Sequence, residues 1–103
     1  LPYIPKSQRE AIDPALDGLI RAIRRATIRT GTAFNPKEAD GAVNYAVTRM
    51  LQELVAYRES YLTIERAVGC LECCKSELYR RLASPYEDRK SIENGDAYDV
   101  HKG

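Results

Sequence analysis

Histidine is nearly absent from this sequence: His101 is the single one in 103 residues. That argues against a His-rich metal site and against a buried Ser-His-Asp triad. An excess of charge of either sign is also missing. Sixteen Lys and Arg stand against fifteen Asp and Glu, a formal +1. The balance argues against polybasic nucleic-acid binding, because few counterions would be released on contact. No apolar run approaches the ~20 residues that a membrane span needs, and no signal-peptide pattern is seen. Cysteine is scarce and odd in number, three in all, which points to a reduced, cytoplasmic protein rather than a disulfide scaffold. What is present is 44% apolar and 30% charged. That is the composition of one soluble globular domain, 1–103, and not of a disordered chain.

The charge is unevenly spread. Residues 1–35 hold six basic side chains against three acidic, 36–83 hold seven of each, and 84–103 hold three against five. The ends can attract one another, or the opposite ends of neighbouring subunits, though exposed pairs are weak.

Three amphipathic helices follow from the spacing. Asp13-Pro14 looks like an N-cap followed by Pro at the first helical position, after a possible short turn over Ser7 to Ile12. Leu16, Leu19, Ile20, Ile23 and Thr27 then recur at helical spacing. Arg21, Arg24, Arg25 and Arg29 line the remaining surface, and Thr30-Gly31-Thr32 ends this helix of about 14–29. Asn35-Pro36-Lys37-Glu38 starts a second, 36–57, with Val43, Val47, Met50, Leu51 and Leu54 as its stripe and Ala46 admitting a neighbour. A third, 61–83, carries Ile64, Ala67, Val68, Leu71, Cys74, Leu78 and Leu82, and Ser84-Pro85 should end it. The tail 84–103, with an Asn94-Gly95 turn, is too polar to build structure alone. The second and third helices would rise about 33 Å each, longer than the first. Some of their apolar seam should stay exposed in a monomer, which predicts self-association.

Several constellations carry candidate chemistry. Cys70, Cys73 and Cys74 include a CxxC, but one chain supplies no second Cys pair and no placed His. Small packing residues buried in a helix face are the better account, without a metal. Glu53, Glu59, Glu65, Glu72 and Glu77 lack the paired ExxE and ExxD spacing by which helical pyrophosphohydrolases gather Mg²⁺, so they are expected to be solvated salt-bridge partners. A polar band on the second helix joins Asn44 to Thr48 and Tyr45 to Arg49, each at i,i+4. Tyr79, Arg80 and Arg81 end the third helix, and Tyr86 follows Pro85. Tyrosine, arginine and asparagine together are what nucleotide recognition uses: stacking for a base, a bidentate fork for phosphate, an amide for polar edges. Against this, Arg at a helix C-terminus also complements the macrodipole, and Tyr often caps a small core.

The chain also resembles a known pattern. Gly41-Ala42-Val43-Asn44-Tyr45-Ala46-Val47-Thr48-Arg49 is similar to the GAxNYxxT stretch of a small uncharacterised family of bacteria, archaea and their tailed viruses. Ala67 to Cys73 with Lys75, Glu77, Tyr79, Arg80 and Arg81 resembles that family's AxGxLECxKxExYRR. Pro85-Tyr86-Glu87-Asp88, Lys90 and Glu93-Asn94-Gly95-Asp96 resemble its closing PYEDxKxxENGD, and Tyr3-Ile4-Pro5-Lys6 with Arg9 is also similar. The likeness spans nearly the whole chain apart from Thr30–Phe34 and the last few residues, with Cys74 and Ser76 as departures. The family has no established activity. The resemblance implies that the polar tail makes defined contacts through Tyr86, Asp88, Lys90 and Asn94. A looser likeness, in size, helicity and phage distribution only, links the chain to small viral oligomers that sequester nucleotide immune signals.

The expectation is therefore an all-α, self-associating protein with a three-helix core, two long antiparallel helices and an ordered, non-helical C-terminal tail. Its expected function is non-catalytic sequestration of a small phosphorylated ligand, such as a nucleotide-derived immune signal, at a subunit interface. Arg49, Arg80 and Arg81 would hold phosphate, Tyr45 and Tyr86 would stack, and Asn44, Lys90 and Asn94 would select polar edges. No cofactor is expected. The alternatives are a structural or interaction module without a small ligand, and a Mg²⁺-dependent nucleotide pyrophosphohydrolase.

Overall fold

The computed structural model describes residues 2–28 and 35–99, Asp99 by its backbone alone, and every regular element among them is helical. No described helix is long and apolar enough to cross a membrane. The chain divides into two units, Leu1–Ala67 and Val68–Gly103.

In the first unit, α1 runs over Lys6–Thr27. The Gln8 and Arg9 amides both donate to the Pro5 carbonyl, at 3.0 and 3.1 Å, and Lys6 pairs with Glu10 one turn on at 3.7 Å. The helix thus begins well before the expected Pro14, which lies inside it. Pro14 removes only the bond to the Glu10 carbonyl. The turns before it carry their own ladder and ion pair, so the short turn expected from Ser7 to Ile12 joins the main helix. At the far end the Thr27 hydroxyl donates to the Ile23 carbonyl at 2.7 Å, and Ile28 turns extended. Arg24 and Arg25 occupy the last turn, where cations offset the helix dipole. Arg29, the expected Thr30-Gly31-Thr32 stop and His101 lie outside the described residues.

Asn35 caps as expected, its side-chain oxygen accepting the Lys37 N–H at 3.1 Å. The first turn, Pro36–Ala39, is tightened to a 3-10 turn before α2, Asp40–Leu54. α2 stops short of the expected Tyr57 because the Val55 and Ala56 amides both return to the Leu51 carbonyl, at 3.0 and 2.8 Å. A second cap follows. The Ser60 hydroxyl accepts the Thr63 N–H at 3.2 Å, opening α3, Tyr61–Leu78. The Thr63 hydroxyl donates to the Arg58 carbonyl. Within this unit α1 packs on α2 and on the 3-10 turn.

In the second unit, α3 leads through a π turn, Tyr79–Ala83, into α4, Ser84–Asn94. Ser84-Pro85 does not end the helix. The Ser84 N–H reaches back five residues to the Tyr79 carbonyl, and the widened turn puts Pro85 in the first turn of α4, where no N–H is needed. The tail expected to be non-helical is therefore helical as far as Asn94. There Gly95 takes φ 88, available to glycine without strain, and caps the end of the helix. The Tyr79 hydroxyl donates to Glu87 across the π turn at 3.2 Å.

Burial differs most from expectation. Among the described residues only Ala39 and Thr63 are buried, so the stripes assigned to a three-helix core are not closed over. Cys70, Cys73 and Cys74, expected to be packed inside, are all exposed free thiols. Among the described residues of the second unit the main packing is that of α4 on the π turn, beyond the stretch that carries them.

Candidate functional site

The first unit presents a groove between its two helices. Leu19, Ala22, Ile23 and Ala26 recur along α1 at spacings of three and four, and Ala42, Tyr45, Ala46, Arg49, Met50 and Glu53 do so along α2. Those spacings put each set on one helix face. The space between them is about 510 Å³, within the range of small-molecule sites. Four alanines keep its floor shallow and apolar, which is the role expected of Ala46.

Polar groups gather on one edge. Tyr45, Arg49 and Glu53 succeed one another at i,i+4. The Arg49 guanidinium lies 6.0 Å from the Tyr45 ring centroid. Its Nη1 donates to the Tyr45 hydroxyl at 3.4 Å, while Nε and Nη2 donate to Glu53 Oε1 at 3.2 and 2.5 Å. Hydrogen bonding to Glu53, and secondly to Tyr45, pushes the Arg49 pKa above its already high ordinary value, so the group is a fixed cation. Both charged side chains are more than half exposed, at 56% and 59%. A pair so exposed contributes little to stability. An incoming anion can therefore replace Glu53 at small cost.

The remaining candidates divide between the units. Asn44 is exposed on α2 and does not line the groove. In the second unit, Tyr86, Lys90 and Asn94 follow at i,i+4 along α4, with the Lys90 ammonium 5.6 Å and the Arg89 guanidinium 5.9 Å from the Tyr86 ring centroid. Lys90 also pairs with Glu93 at 3.1 Å. Arg80 donates to Glu77 at 2.6 Å and lines a shallow depression of about 400 Å³ with Glu72, Lys75, Ser76, Tyr79 and Ser84. Arg81 is exposed and does not line it. Tyr79, bonded to Glu87, has its pKa raised by that bond.

Of the carboxylates, Glu53, Glu72 and Glu77 are salt-bridge partners, to Arg49, Lys75 and Arg80. Among the described residues no three His, Cys, Asp or Glu side chains gather where a metal ion could be held. Glu53 is the charged member of the groove not expected in the site. The signal for it was the Arg49–Glu53 spacing.

The chain belongs to the family described as a domain of unknown function, DUF6899, which matches it over residues 1–97. No curated protein and no solved structure matches it.

Proposed function

We propose that the chain is a non-catalytic binding protein that takes a small phosphorylated aromatic ligand, of the kind a nucleotide-derived immune signal presents, in the α1–α2 groove. The observation that carries this reading is the coincidence of an apolar floor with Tyr45 and Arg49 on one edge. A base fits the floor and the Tyr45 ring, and phosphate takes the bidentate fork that Arg49 now gives to Glu53. The test is calorimetric titration and native mass spectrometry with a panel of mononucleotides and cyclic dinucleotides. Micromolar or tighter binding is expected, weakened about 10- to 100-fold in Arg49→Ala, as loss of a charge-assisted bond implies. Glu53→Gln, which frees the guanidinium, should tighten it. If no nucleotide adds mass to the wild type or to Glu53→Gln, the reading fails.

A second reading, a structural or interaction module without a small ligand, is favoured by the exposed apolar side chains of the second unit. It predicts that Arg49→Ala leaves assembly and every partner unchanged.

A further inference from the structure

Among its described residues the second unit carries an apolar stripe that stays largely exposed. Val68, Leu71, Cys74, Leu78 and Leu82 follow at intervals of three, three, four and four, the rhythm of one helix face. At about 100° per residue Leu82 falls within the arc of the other four, and it lies in the π turn that follows α3. Val68, Leu71, Leu78 and Leu82 are 60%, 46%, 60% and 65% exposed, and Cys74 is exposed as well.

We infer that this stripe is the contact face for a second copy of the chain, the two copies packing the same α3 stripe against each other about a two-fold axis. Two features select a second copy over another occupant. The first is charge. Between Val68 and Asn94 there are five basic and five acidic side chains. Near the stripe Glu72 pairs with Lys75 and Glu77 with Arg80, and a face so balanced overall offers little to steer a charged partner or to repel its own duplicate. The second is area. Covering a half-exposed Leu or Val removes on the order of 50–100 Å². Five such residues from each of two chains, with the flanking stems, approach ~1,000 Å², the lower bound of a specific interface. This inference is independent of the ligand groove, which lies in the other unit.

The native thiols report on it. Cys74 is in the stripe, whereas Cys73 projects one residue, about 100°, round the helix. The experiment is brief N-ethylmaleimide labelling of the whole chain with peptide mass spectrometry, alongside light scattering at tens of micromolar. The expected results are a mass of two chains and Cys74 labelled at least tenfold more slowly than Cys73, with the two rates converging on dilution. Leu78→Asp should give single chains with equal labelling, while Ser76→Asp, on the opposite face, should leave the pair intact. Should Leu78→Asp fail to fold, the wild-type thiol rates still decide. A single chain at that concentration, a trimer, or equal labelling of Cys73 and Cys74 in the wild-type pair would overturn the proposal.

Discussion

The Thr63 hydroxyl donates to the Arg58 carbonyl and lies 3.1 Å from the Ser60 hydroxyl, which in turn receives the Thr63 amide. One small side chain thereby ties the connection after α2 to the first turn of α3. Thr63→Val keeps the shape and removes the donor, leaving a partly buried carbonyl unmatched. The expected cost is about 1–2 kcal/mol, read as a lower midpoint in chemical denaturation followed by helical circular dichroism. Thr63→Ser should recover most of it. This cap was hidden in the sequence because Ser60-x-x-Thr63 lacks the carboxylate of the usual capping box. Asn35, followed by Pro36, announced its role plainly. The cysteines were misplaced for another reason. Residue type and spacing put Cys74 on an apolar stripe, but spacing does not say whether anything in the same chain lies over that stripe.

At the scale of the element, proline misled twice. Pro14 and Pro85 both mark helix boundaries by local backbone rules, and both sit within continuous helical paths. In the second case the path is held by a contact that no local rule contains, the Tyr79 hydroxyl bond to Glu87 across the π turn. That bond needs the phenol protonated, and it raises the Tyr79 pKa above its ordinary value. A group whose pKa is raised by folding stabilises the fold fully below its unfolded value, and that contribution disappears as pH climbs through the folded one. Helicity should therefore hold from neutral pH to about 10, the ordinary tyrosine value, and fall above it. In Tyr79→Phe this alkaline loss should be absent, and amide exchange in α4 should already be faster at neutral pH. An unchanged alkaline transition in Tyr79→Phe would assign it to other groups. The end of α4 at Asn94-Gly95, by contrast, was legible from two letters. Gly95→Ala should cost roughly 1–3 kcal/mol of local strain, visible as faster exchange over the last turn of α4.

For the molecule as a whole, the periodicity of the sequence revealed which faces are apolar and left open what covers them. Part of the groove was legible, because Tyr45 and Arg49 share a helix face by spacing. Its other wall, Leu19, Ala22, Ile23 and Ala26, is a property of tertiary packing that spacing in one helix cannot disclose. If the stripe of the second unit is closed by a second copy, folding and association are linked, and stability must depend on protein concentration. Each tenfold rise in concentration then adds about 1.4 kcal/mol to a dimer. Spread over two chains of this length, that corresponds to a rise in Tm of roughly 3–5 °C per decade. Melts at 1, 10 and 100 µM should show this progression for the wild type and for Arg49→Ala, and a midpoint independent of concentration for Leu78→Asp. A nucleotide bound in the α1–α2 groove would raise Tm in wild type and Leu78→Asp alike, since its site does not include the stripe. The two proposals therefore separate in one set of curves: concentration dependence reports the stripe, and ligand dependence lost in Arg49→Ala reports the groove.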